Sequence, residues 1–169
     1  MISLAQLNTA SVEEFVSALG GVYEHSDWVP QHVVEQRPFL NVENLRQAMS
    51  GAVDQASDLQ KLALILAHPD LAGKLARAGA LTEESSREQA GLGLDRLSNE
   101  EYENFSARNE AYREKFGFPF IICARLTSKQ GVLDAFAGRL GNPRETEITE
   151  ALFQIHQIAQ LRLDDLLTQ

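Results

Sequence analysis

A chain of 169 residues with 44% hydrophobic and 23% charged residues has the balance of a folded globular protein and the length of one domain with a substantial core. A formal net charge of -9, with no cluster of Lys or Arg, excludes nucleic acid and anionic membranes as natural partners, because both would be repelled. A single cysteine, Cys123, excludes an intrachain disulfide and any cysteine-rich metal site.

The opening residues 1–6 lack the charged and apolar parts of a secretory signal, and no apolar run approaches the ~20 residues that span a bilayer. The last residues, Leu167-Thr168-Gln169, are not the Ser-Lys-Leu peroxisomal address. A cytoplasmic protein is expected. Helix signals then dominate. Ser11 with Glu14 forms a capping box for a helix closed at Gly20-Gly21, with Phe15, Val16 and Leu19 on its apolar face. A helix from Ser26 turns Trp28, Val29 and Val33 inward and stops before Arg37-Pro38. Asn41 caps a helix in which Leu45, Ala48, Met49 and Ala52 recur at spacings of three and four.

Ser57 with Gln60 opens an apolar helix that runs into Ala67-His68-Pro69. Proline biases the preceding residue away from the α region and suits the first turn of a following helix, so a second helix is expected at once, over 70–78, closed by Gly79. His68 then stands on a rigid corner. Thr82 caps a polar helix containing Ser85, Glu88 and Gln89 and stopped by Gly91 and Gly93. Ser98 with Glu101 opens the best-defined helix, to Phe116, whose seam is Tyr102, Phe105, Asn109, Tyr112 and Phe116. Asn109 is either a buried residue with a hydrogen-bonded partner or a surface residue at the edge of the stripe.

The run Phe118-Pro119-Phe120-Ile121-Ile122-Cys123-Ala124-Arg125 reads as an extended, buried connection that turns helical towards Arg125, which it carries into a buried setting. A helix over 128–140 and a last one from Pro143, bearing Ile148, Leu152, Ile155, Ala159 and Leu163, complete the chain. The expected fold is all-α: a single domain, 1–169, forming an irregular bundle of about seven or eight helices.

Three places depart from plain amphipathic helices. A histidine fixed on a proline corner suits acid–base chemistry near neutral pH, though it is also an ordinary turn residue. Ser85, Glu88 and Gln89 share one helical face, which is either a polar ridge of a site or a solvated surface. Arg125 pairs either with a carboxylate-bearing ligand or with a structural Glu. His25, His32 and His156 have no supporting context and are taken as surface or packing residues. Metal-ligand spacing, phosphate loops and nucleophile elbows are absent from the sequence.

Together the three places form a signature. The segments Ala67-His68-Pro69-Asp70-Leu71-Ala72, Leu81-Thr82-x-x-Ser85-x-x-Glu88-Gln89-x-x-Leu92 and Asn109-x-x-Tyr112-x-x-Lys115-Phe116-Gly117-Phe118-Pro119-Phe120-Ile121-Ile122-Cys123-Ala124-Arg125 resemble the 2-oxo-4-hydroxy-4-carboxy-5-ureidoimidazoline (OHCU) decarboxylase family of urate degradation. The resemblance runs over most of the chain, more loosely in residues 1–40. It implies an all-helical homodimer, no metal or organic cofactor, and a small anionic ureide substrate that loses CO₂ and takes a proton on one face to give (S)-allantoin. His68 is then the acid–base group, Glu88 accepts from ureide N–H groups, and Arg125 balances substrate charge. Ser85 and Gln89 bind the ureide, Pro69 walls the site, and backbone groups of Phe120, Ile121 and Ile122 pair with ureide amides. Phe118 and Phe120 give a dry surround. A non-catalytic helical interaction module and a hydrolase of a related ureide are the competing classes.

Overall fold

Side-chain caps decide where the helices of this chain begin. The structure, a computed structural model, describes residues 1–168, and of Leu75 and Thr168 the backbone alone. Its α-helices are α1 (Leu4–Thr9), α2 (Val12–Leu19), α3 (Trp28–Val33), α4 (Val42–Asp54), α5 (Asp58–Leu66), α6 (Lys74–Arg77), α7 (Glu83–Gly91), α8 (Asn99–Phe116), α9 (Lys129–Arg139) and α10 (Arg144–Leu166). Shorter 3-10 turns lie at Val34–Gln36, Leu94–Arg96 and Ala124–Leu126. Among the described residues, extended pairing is limited to two residues at each end, where Ile2 and Ser3 run parallel to Leu167 and Thr168. The fold is all-α, and none of its helices is long and apolar enough to cross a membrane, among the described residues.

The expected caps are in place. At Ser11, Ser57 and Ser98 the hydroxyl accepts from the third backbone N–H while Glu14, Gln60 or Glu101 reaches back to the cap amide. Asn41, Thr82 and Ser128 cap α4, α7 and α9 from one side. Ser3 and Gln6 make a further reciprocal cap and start α1, a helix that the sequence reading passed over. The helix expected from Ser26 begins two residues later, at Trp28.

The chain forms two compact units, residues 1–67 with the stretch from His156 onwards, and residues 68–155. In the first, Leu7, Phe15, Leu19, Val29 and Leu45 build the core. Tyr23 bonds through its hydroxyl to Nδ1 of His156 at 2.9 Å, and Nε2 of that ring meets Asp54 at 3.0 Å. His156 is thus a packing residue, while His25 and His32 are exposed.

The second unit is built on aromatic rings. Phe105, Tyr112 and Phe116 of α8 meet Phe118 and Phe120 from the run after it and Phe136 of α9. Phe120 stacks on Phe136 with ring centroids 3.9 Å apart, and Tyr112 stands edge-on to Phe120 at 5.2 Å. Gly117, at φ 79°, ends α8 in the left-handed region and turns the chain back into that run.

Candidate active site

All the residues singled out from the sequence as a site lie in the second unit. α5 ends at Leu66, and Pro69 forbids its continuation. The helix expected over 70–78 is formed only in part: residues 70–73 turn instead, and Lys74–Arg77 are helical, with Gly79 in the left-handed region after them. The reason is tertiary. Ala72 takes a left-handed φ of 52°, and at Gly73 a Cβ would fall 2.9 Å from the Cβ of Asp70. Side chains from two other helices satisfy the main chain that a helix would have satisfied internally. Gln89 accepts from the Ala72 amide at 2.8 Å and donates to the Asp70 carbonyl at 3.3 Å. Asn109 donates to the Leu71 carbonyl at 2.8 Å, and Arg113 donates to the Asp70 carboxylate at 3.0 Å. His68, only 7% exposed, opens this tethered loop, with Pro69 half-buried beside it.

The polar helix α7 turns its Ser85 and Gln89 inward, both buried, with Glu88 half-buried and Ser86 and Arg87 outside. That burial pattern is an inward-facing ridge, not a solvated surface. Both ends of the Gln89 amide engage the loop after His68, so one helix carries Glu88 and fixes the histidine's neighbourhood.

The run from Phe118 is extended and buried as expected and closes in the 3-10 turn Ala124–Leu126, against which α7 packs. The rings of Phe118 and Phe120 fill the aromatic core behind the run. Arg125 is exposed, contrary to the buried setting expected, because the apolar sequence ends at Ala124 and the 3-10 turn swings both Arg125 and Leu126 outward. Burial pushes the Cys123 thiol up; the Arg125 amide pulls it back, the Glu88 carboxylate adds to the rise, and the Arg125 guanidinium opposes it. The Ile121 carbonyl is already an acceptor for Arg139 at 2.7 Å, leaving the amides of the run as the groups better suited to a ligand.

Sequence reasoning passed over Arg139 and Glu147. Nε of Arg139 donates to Glu147 at 2.8 Å, and the same carboxylate oxygen accepts from the Tyr112 hydroxyl at 2.6 Å. A signal was present, since Val132, Phe136 and Arg139 share the buried face of α9. Asn109 proves to be the buried, bonded alternative, at 4% exposure. No group of three or more His, Cys, Asp or Glu is arranged to hold a metal ion among the described residues.

The second unit thus holds a buried histidine at the start of a tethered loop, a half-buried carboxylate on α7 and an exposed guanidinium on the turn that α7 packs against. Comparison with known proteins narrows this. The family model of OHCU decarboxylase matches residues 8–164. The 2-oxo-4-hydroxy-4-carboxy-5-ureidoimidazoline decarboxylase of Halalkalicoccus jeotgali is 41% identical over 165 residues, covering 98% of this chain and 92% of its own. The uric acid degradation bifunctional protein of Bacillus subtilis is 37% identical over 169 residues, 33% of its length. An (S)-allantoin synthase crystal structure aligns with a TM-score of 0.80 at 33% identity, over 99% of this chain and 54% of the other, so the chain spans about half the length of that protein. With matches of this extent over nearly its whole length, the chain belongs to the OHCU decarboxylase family.

Proposed function

We propose that this chain decarboxylates 2-oxo-4-hydroxy-4-carboxy-5-ureidoimidazoline to (S)-allantoin in urate degradation. The observation that carries the reading is the Gln89 clamp, which ties the loop after His68–Pro69 to the same helix that carries Glu88. The substrate's C–CO₂⁻ bond breaks, CO₂ leaves, and the electron pair passes into the substrate's own conjugated imine and carbonyl. His68 delivers the proton to one face of the resulting carbanion. Glu88 accepts from ureide N–H groups, Ser85 offers its hydroxyl, and Arg125 balances the negative charge. Gln89 acts through the loop as well as on the ureide. Main-chain amides from Phe120 to Ile122 pair with ureide carbonyls, and Pro69 walls the site beside the imidazole. No metal or organic cofactor takes part in this scheme.

The working form is a cytoplasmic homodimer. Light scattering that returns the mass of a single chain at working concentration would contradict the dimer.

The test is to add the protein to freshly generated urate-oxidation intermediate and follow circular dichroism. A catalyst yields one allantoin enantiomer quickly, whereas spontaneous decay yields a racemate. His68→Asn is expected to cut turnover by about 10²-fold or more with the fold intact. Turnover within about threefold of the parent would remove His68 from the mechanism. Ammonia or urea released in place of CO₂ would point to a ureide hydrolase instead.

A further inference from the structure

We infer that Arg139, held by Glu147, is a positioning residue for this reaction: it fixes the peptide plane between Ile121 and Ile122 and so presents the Ile122 N–H to the substrate. The inference rests on the decarboxylase reading and goes beyond it, to residues on α9 and α10.

Arg139 is 9% exposed and Glu147 is fully buried. The Glu147 carboxylate accepts three donors: Nε of Arg139 at 2.8 Å, the Tyr112 hydroxyl at 2.6 Å and Nδ2 of Asn142 at 3.1 Å. Nη1 of Arg139 donates to the Ile121 carbonyl at 2.7 Å, and the guanidinium lies 4.3 Å from the centre of the Phe120 ring. Nη2 is buried without a partner. A fold that needed only stability gains little from such an arrangement, since well-packed apolar residues replace a buried ion pair at little or no loss. What the cation secures here is direction. The 121–122 peptide is trans, so its C=O and N–H point opposite ways; drawing the carbonyl onto Arg139 aims the Ile122 N–H away from α9.

The next residue is anchored too. Gln154 accepts from the Cys123 amide at 2.8 Å and is itself braced by Glu150 at 2.8 Å. Ile122 thus sits between two tethered points. It is half-buried, while Ile121 and Cys123 on either side are buried. A donor pre-aimed in this way costs no reorganisation when the ureide carbonyl arrives.

The experiment uses the full chain and compares the parent with R139K and with the double variant R139M/E147L, which removes both charges together. Folding is checked by far-ultraviolet circular dichroism and melting. Kinetics follow allantoin formation across a range of pH. The double variant is expected to fold and to lose at least about tenfold in kcat/KM, chiefly through KM, with the pH profile of kcat unchanged because His68 is untouched. R139K keeps the charge but cannot serve Glu147 and Ile121 together, so it should recover only part of that loss. A folded double variant within about threefold of the parent would overturn the inference, as would a loss confined to kcat. If the double variant does not fold, R139K decides alone: a raised KM supports the inference and parental kinetics overturn it. An inactive parent chain would sink the decarboxylase reading itself, a result distinct from an active parent with unaffected variants.

Discussion

Asn109→Asp replaces one amide NH₂ by an oxygen and inverts the chemistry at the loop behind His68. Asn109 is 4% exposed; its Nδ2 donates to the Leu71 carbonyl at 2.8 Å, while its Oδ1 is buried without a partner. The aspartate oxygen that replaces Nδ2 faces a carbonyl it cannot bond when ionised. Loss of the bond costs about 1 kcal/mol, and the stranded carbonyl adds about 1–3 kcal/mol. Desolvation of the carboxylate is relieved by a raised pKa. At pH 8 the variant should therefore be about 2–4 kcal/mol less stable than the parent, about 4–16 °C in Tm for a chain of this length. The sign with pH follows. A carboxyl whose folded pKa is raised matches the parent best below its unfolded value of about 3.9, and loses ground as pH rises through the folded value. Its neutral form can donate to Leu71. Urea unfolding at pH 8 and pH 5 reads both points: about half of the deficit should be gone at pH 5. Asn109→Leu is the control, with a deficit of about 2 kcal/mol that does not change with pH. An Asn109→Asp variant as stable as the parent at pH 8, or a deficit independent of pH, would refute a buried Asn109–Leu71 bond.

Three further outcomes are expected. Gly73→Ala should cost about 1–3 kcal/mol, read by melting, with allantoin formation falling alongside, because the new Cβ meets Asp70. Burial raises the phenols of Tyr23 and Tyr112, with Asp54 adding to the first and the Glu147 bond to the second, so the folded chain holds protons that the unfolded chain releases. That contribution is complete below the ordinary phenol value of 10.0 and is lost as pH rises beyond it; the Tm should fall above pH 10, and Tyr23→Phe with Tyr112→Phe should flatten the fall. Glu14 and Glu101 lie below the ordinary 4.5 because the Ser11 and Ser98 caps favour their charged forms. Their contribution is present above 4.5 and fades as pH drops through the lowered values, so Glu101→Gln should melt below the parent at pH 7 and converge with it in acid.

Helix starts were legible because a cap needs only residues three apart: Ser11 with Glu14, Ser57 with Gln60 and Ser98 with Glu101 all do what their spacing predicts. Ser3 with Gln6 carried the same signal and was overlooked. The polar ridge of α7 was legible as a face. The loop after Pro69 was not, because Gln89 and Asn109, distant in sequence, override the helical pattern of residues 70–73. Arg125 misled for a related reason: the apolar run predicts burial, but a 3-10 turn rotates its last residue outward. Arg139 and Glu147 sit on either side of the break at Gly141–Pro143, so no helical spacing links them in the sequence.

The parallel pairing of Ile2 and Ser3 with Leu167 and Thr168 sets those two segments side by side. Adjacent strands lie about 4.8 Å apart, so a short glycine linker would close the backbone into a ring. Opened again in an exposed turn away from the Arg139–Glu147 pair, such a permuted molecule is a natural cassette for splicing into the surface loop of another protein.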